Sequence, residues 1–179
     1  MSALSYAIFD TPIGHCALVW RETGVAGVQL PEGSAAATAR RVGQRFAGAV
    51  RRAPTPMARR AIDAIGVLLS GGGDELSTIA LDYSGQGPFC RRVYELARAI
   101  PAGETVTYGE LAARAGEPGG ARAVGQAMAR NPYPLIVPCH RVMAAHGGAG
   151  GFSARGGVAT KFRLLRIEGA LRQADLALG

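Results

Sequence analysis

Apolar residues in the first thirty positions fall in short clustered runs. Tyr6 to Phe9, Cys16 to Trp20 and Val25 to Leu30 are separated by the turn-forming Asp10-Thr11-Pro12-Ile13-Gly14 and by Gly24. Short runs punctuated by Gly and Pro predict the strands of an antiparallel meander. The spacing then lengthens: residues 35 to 46 and 57 to 69 are rich in Ala and Arg, with apolar positions at helical intervals. Leu76 to Leu81 reads as a returning strand, stopped by Ser84-Gly85-Gln86-Gly87-Pro88. That breaker predicts a boundary between two domains, 1–84 and 85–179.

Beyond it the pattern is helical. Phe89, Val93, Leu96 and Ile100 fall at i, i+4, i+7 and i+11, the stripe of an amphipathic helix ended by Pro101 and Gly103. Thr107-Tyr108-Gly109-Glu110 has the spacing of a capping box and opens a short helix to Ala115, with Gly116 placed to stop it. A second helix, Ala121 to Ala129, follows the turn Glu117-Pro118-Gly119-Gly120. The pair predicts a helix-turn-helix over about 107–129. The expected fold class is therefore α/β (α+β), a small N-terminal antiparallel sheet with helices followed by a mostly helical C-terminal domain.

The second helix is unusual in its side chains. Ala121, Ala123, Gly125, Ala127 and Ala129 leave it few groups for reading base edges. Small residues let a backbone approach closely, which fits a narrow groove and sequence-independent binding of double-stranded DNA. Tight packing against a neighbouring helix would use the same residues.

Composition narrows the classes. A chain of 179 residues, 48% hydrophobic, can bury a core. It has no run of about 18 apolar residues to span a bilayer, and its start lacks the basic and apolar regions of a secretory signal. A cytoplasmic monomer is expected. Cys16, Cys90 and Cys139 are odd in number and widely spaced, which suits reduced thiols rather than a disulfide framework. A zinc site would need His15, Cys16, Cys90 and His146 to converge without any CxxC or HxxxH spacing, so no metal and no cofactor is expected.

The net charge is +7, and it is unevenly spread. Residues 1 to 84 carry eight Arg against seven acids, whereas 85 to 179 carry eleven Arg and one Lys against six acids. The second half is thus the expected face for a polyanion. A genome biased toward Arg would leave the same trace.

Leu135-Ile136-Val137 runs straight into Pro138-Cys139-His140-Arg141, so a thiol and an imidazole follow a predicted buried strand. The thiolate is the nucleophilic form, and a free thiol with a pKa of about 8.5 needs a base to reach it at neutral pH. Side chains of consecutive extended residues point to opposite faces, which strains a direct bond between Cys139 and His140. A bridging water, with an acid behind the imidazole to fix its tautomer, would complete a relay.

Asn131-Pro132-Tyr133-Pro134 followed by Pro138-Cys139-His140-Arg141-Val142 resembles the signature of the O6-alkylguanine-DNA alkyltransferases, the methylated-DNA-protein-cysteine methyltransferases. Gly103 to Gly109, Ala121-Arg122-Ala123-Val124-Gly125 and the closing Lys161 to Gly169 fit the same pattern. The resemblance is strong from Phe89 to Gly169 and looser before it. It implies in-line transfer of an alkyl group from O6 of guanine, or from O4 of thymine, to Cys139, once per molecule and after base flipping. His140 and Glu168 would then form the relay and Asn131 would brace the turn. Tyr108 would donate to the leaving purine and crowd the backbone phosphate, and Arg122 would fill the gap left by the flipped base. The reading further places Ala121, Ala123, Gly125 and Arg141 against DNA, and Val142, Phe152 and Ser153 at the substrate pocket.

One segment departs from the family. Gly151-Phe152-Ser153-Ala154-Arg155-Gly156-Gly157 stands where a Tyr-Ser-Gly-Gly-like loop is common, with about two extra residues and no tyrosine hydroxyl. Three other readings compete. A non-catalytic alkyltransferase-like binder would lack Cys139; a Cys-His hydrolase or acyltransferase would turn over; a transcription regulator would need base-reading residues on the second helix.

Overall fold

The computed structural model describes residues 2–73 and 76–170. The N-terminal meander forms as β1 (Ser5–Thr11), β2 (Gly14–Arg21) and β3 (Gly24–Gln29). β1 and β2 pair from Ser5 with Trp20 to Thr11 with Gly14, a register fixed by the tight turn at Pro12 and Ile13. The sheet is mixed rather than purely antiparallel. A fourth short strand, β4 (Val50–Arg51), which the sequence pattern does not reveal, lies parallel to β1 and gives the order β3-β2-β1-β4.

Helix α1 (Ala35–Arg45) starts where the Ser34 side chain accepts from Ala37 N, and α2 (Pro56–Leu69) where Thr55 accepts from Ala58 N. Both caps satisfy backbone donors that the first turn leaves unpaired. Ala58, Ala61, Ile65 and Leu68 of α2 are buried on one face and belong to the same hydrophobic cluster as Leu18 and Val28 of the sheet.

Leu76 to Leu81 is not a strand. Leu76–Thr78 makes a single 3-10 turn, and the chain touches β3 only at a bridge between Leu81 and Val25. The reason lies in how the β3 edge is shared. Val25 N donates to Ala80 O and Val25 O accepts from Asp82 N, but further along Val28 N donates to Pro132 O, at 2.9 Å. The rest of that edge therefore belongs to the C-terminal half, and no ladder is left for a full strand.

In that half, α3 (Pro88–Arg98), α4 (Tyr108–Arg114), α5 (Ala121–Ala129) and α6 (Val158–Ile167) surround the segment that carries the thiol. The capping box opening α4 forms as expected: Glu110 N donates to Thr107 Oγ1 at 3.1 Å, and Thr107 N donates to Glu110 Oε2 at 2.6 Å. Tyr94 of α3 is fully buried and its hydroxyl donates to Ala127 O of α5 at 2.9 Å, so an aromatic ring enters the core with its polar atom paired. One hydrophobic cluster runs without a break from Ala7 to Leu164 and so crosses residue 84. Among the described residues no helix is long and apolar enough to cross a membrane.

A second, two-stranded sheet has the largest bearing on the site. β5 (Val106–Thr107) and β6 (Val142–Met143) lie parallel, Val106 opposite Val142 and Thr107 opposite Met143. This pairing sets Tyr108, the first residue of α4, beside the segment that ends with Cys139 to Arg141.

Candidate active site

Leu135 to Val137 are buried but do not form a strand. Pro134 and Val137 close a tight turn, Leu135 takes the left-handed conformation at φ 74°, and Cys139–Arg141 make one 3-10 turn. A branched residue at positive φ costs about 1–3 kcal/mol and persists only where its surroundings dictate it. Asn131 is the dictating group. Its Nδ2 donates to Val137 O at 2.9 Å and its Oδ1 accepts from Tyr133 N at 2.9 Å, spanning the turn like a strut. Tyr133 in turn is buried and donates its hydroxyl to Asp82 O at 2.5 Å.

Cys139 and His140 lie on a 3-10 turn, not on an extended strand. Successive side chains on such a turn diverge by about 120°, so Cys139 and His140 still face apart. Cys139 is 9% exposed and His140 1%. His140 Nε2 lies 2.7 Å from Glu168 Oε1, joining residues 28 positions apart. Burial alone would raise the Glu168 carboxyl, but hydrogen bonds from His140 and Arg141 outweigh it and hold the pKa at about 2. An ionised carboxylate only accepts, so Nε2 carries the ring proton and Nδ1 is the basic nitrogen. Nδ1 is buried and has no hydrogen-bond partner among the described residues.

Burial pushes the Cys139 thiol above its usual range, opposed by a hydrogen bond with Asn131, the Lys161 charge and nearby backbone amides. Burial likewise lowers His140, against the support of Glu168. The resting pair is therefore neutral thiol and neutral imidazole.

Two assignments change. Arg141 is not on a DNA-facing surface: it is 1% exposed, its Nε and Nη2 donate to Glu168 at 2.9 and 2.8 Å, and Nη1 donates to Ile100 O at 2.6 Å. A buried guanidinium gripping a carboxylate with two parallel bonds cannot also reach a phosphate. It keeps Glu168 ionised and aimed at His140. Val142 is fully buried in β6 and lines neither cavity that opens at Cys139, because strand pairing turns it into the core.

Of the other predicted residues, Tyr108, Arg122, Gly125, Phe152 and Ser153 line a cavity of about 570 Å³ that reaches Cys139, with Gly151 among its other walls, whereas Ala121 and Ala123 do not line it. On α5, Val124, Ala127 and Met128 face the core, while Arg122 and Ala123 are exposed and Ala121 and Gly125 half-buried. Burial raises the Tyr108 hydroxyl, with Cys139 adding to the effect, so it stays protonated at neutral pH. Gly150, at φ 65°, passes so close to Tyr108 that a Cβ would lie 2.8 Å from its ring. The loop thus needs glycine on both counts.

Sequence reasoning missed Lys161. This lysine of α6 is fully buried, donates Nζ to Val142 O at 2.5 Å and lies 5.7 Å from the Tyr108 ring centroid. Burial lowers its pKa to about 8, opposed by Cys139. Only its presence in the closing motif hinted at a role. Cys16, also buried, bonds instead to Thr11 in the sheet, and Cys90 is half-buried on α3. Among the described residues, no three His, Cys, Asp or Glu side chains group around a point where a metal ion would sit.

Residues 88–170 match the family described as 6-O-methylguanine DNA methyltransferase, DNA binding domain. A methylated-DNA-protein-cysteine methyltransferase of Methanothermobacter thermautotrophicus is 37% identical over 159 residues, covering 88% of this chain and 81% of that one. One from Mycolicibacterium paratuberculosis is 35% identical over 98% of both chains. The crystal structure of Mycobacterium tuberculosis OGT in complex with DNA superposes with a TM-score of 0.77 at 32% identity, over 97% of this chain and 98% of that one. With sequence and fold shared over nearly its whole length, the chain belongs to the methylated-DNA-protein-cysteine methyltransferase family.

Proposed function

We propose that the chain repairs DNA by moving the alkyl group of O6-alkylguanine, or of O4-alkylthymine, onto Sγ of Cys139. The observation that carries this is a buried thiol opening into a base-sized cavity, with His140 and Glu168 fixed behind it. Nδ1 of His140 takes the thiol proton through a bridging water while Glu168 stabilises the imidazolium. The Lys161 ammonium favours the thiolate by charge. The thiolate attacks the alkyl carbon in line as the bond to O6 breaks, and the guanine, receiving a proton from Tyr108, leaves neutral. The substrate brings its own activated carbon, so the step calls for no cofactor. The thioether has no easy return, and each molecule acts once.

A stacked base cannot meet an in-line thiolate, so the nucleotide must leave the duplex, and Arg122 at the cavity mouth fills the gap. The helix-turn-helix of 107–129 presents α5 to double-stranded DNA. Its exposed small residues suit the minor groove and any sequence, with phosphate contacts from 85–179 giving most of the affinity. The protein works as a cytoplasmic monomer, where its free thiols remain reduced. Division at residue 84 separates roles: the first part braces the active-site turn through Pro132 and Asp82, and the second binds DNA and accepts the alkyl group.

Intact mass after incubation with an O6-methylguanine oligonucleotide tests the reading. One methyl per protein, on the Cys139 peptide, is expected, and none for Cys139→Ser at unchanged DNA affinity. Methyl on another residue, or repeated turnover, sinks it. Affinity for unmodified duplexes of unrelated sequence should be equal and fall steeply with salt; a strong preference for one of them refutes sequence independence.

A further inference from the structure

A second cavity, about 290 Å³, also opens at Cys139, on the side of the N-terminal sheet. Met128, Ala129, Phe152 and Ser153 border both spaces, so the thiol sits where they meet. The second cavity is charged: Arg41, Arg45 and Arg130 line it against the single carboxylate of Glu32. Arg41 and Arg45 lie one turn apart on α1 and repel each other. Arg45 donates only through Nη1, to Gln29 Oε1 at 2.6 Å and Val28 O at 3.3 Å; its guanidinium lies 5.1 Å from the Phe46 ring centroid, and its other nitrogens make no hydrogen bond among the described residues. Arg41 is exposed and bonds only to neighbouring Gln44, at 3.2 Å. Glu32 is already engaged by Gln29 Nε2 at 3.1 Å. An excess of cations with donors to spare is a site for an anion.

A transferred methyl group ends at the carbon bonded to Sγ and has no further atoms to place in this space. In an in-line displacement the substituents on the carbon radiate sideways from the S···C–O axis, so a longer group needs room beside Sγ. We propose that the arginine-lined cavity receives the far end of longer O6 substituents and selects those that end in a carboxylate, O6-carboxymethylguanine being the simplest. This rests on the reading of Cys139 as alkyl acceptor. The thiolate pair forms the S–C bond, and the C–O6 pair departs with the guanine, which takes one proton. The carboxylate does not react and remains as S-carboxymethylcysteine.

The anion could instead be a DNA phosphate, so the test uses free O6-methyl- and O6-carboxymethyl-2′-deoxyguanosine, which have none, beside the same lesions in a duplex. Arg41→Gln/Arg45→Gln should slow carboxymethyl transfer from the nucleoside by about tenfold or more, with methyl transfer within about twofold. An unchanged ratio of the two rates overturns the proposal. So does equal slowing of both lesions confined to the duplex, which makes these arginines phosphate contacts. Wild-type protein supplies a check that needs no variant: carboxymethyl should outpace its neutral isostere, O6-carbamoylmethyl, by about tenfold relative to their ratio with a simple thiolate in buffer. Parity there overturns the subsite while leaving methyl transfer standing. Transfer from no substrate at all would remove the acceptor reading beneath it.

Discussion

Replacing Glu168 by Gln keeps the shape of the relay and removes its charge. The wild-type carboxylate meets His140 at 2.7 Å and Arg141 at 2.8 and 2.9 Å, all three side chains nearly inaccessible. An amide cannot stabilise an imidazolium as a carboxylate does, and a charge-assisted hydrogen bond contributes about 1.5–3 kcal/mol. Transfer at pH 7 should therefore slow by roughly ten- to a hundredfold. The amide also strands the buried Arg141 cation, which costs about 3–5 kcal/mol of stability, so measurements belong at low temperature with the fold checked by circular dichroism. Once the relay is impaired, bulk solvent must deprotonate Cys139, and the rate should climb about tenfold per pH unit above neutrality, narrowing the gap to wild type. Quenched time courses with free O6-benzylguanine, read as alkylated Cys139 peptide between pH 6.5 and 9, give both quantities. Folded protein with wild-type rate and profile removes Glu168 from the mechanism. A deficit of constant size at every pH would assign the loss to damaged packing instead.

Arg122→Ala should slow repair of a duplex lesion far more than transfer from a free benzylated base, with single-stranded DNA between; equal slowing places Arg122 in the pocket, and full recovery at low salt makes it a phosphate contact. Lys161→Met removes the cation beside the thiol and should slow transfer at pH 7 by roughly tenfold while the protein stays folded; an unchanged rate dismisses its electrostatic role. Acid should unfold the protein early. Glu168 is held at about 2 against an ordinary carboxyl value of 4.5, so its contribution is complete above the unfolded pKa and lost as pH falls from about 4.5 toward 2, roughly 3 kcal/mol in all. Urea midpoints across that range should drop for wild type and much less for Glu168→Gln; parallel curves refute the assignment.

Much of this protein is written locally. Strand runs and turns near the N-terminus, the capping box at Thr107 and Glu110, and the amphipathic spacing of α1 to α3 depend on interactions within a few residues, which sequence order preserves. The nucleophile was legible because Pro138 to Arg141 is one unbroken motif. What failed was settled by partners far along the chain. Leu135 to Val137 reads as a strand from its apolar content, yet Asn131 bends it into a turn. Leu76 to Leu81 has strand composition, yet the β3 edge it would need is shared with Pro132, some fifty positions later. Arg141 looks in sequence like one more cation for DNA, and only the approach of Glu168 across 27 positions makes it an internal counter-ion. Lys161 gave no sign of lying beneath Tyr108, nor α1 of bringing Arg41 and Arg45 to a cavity that Cys139 also lines. Periodicity reports which face of an element is apolar; which charges meet once those faces are buried depends on how the elements pack, and that is decided only by the folded whole.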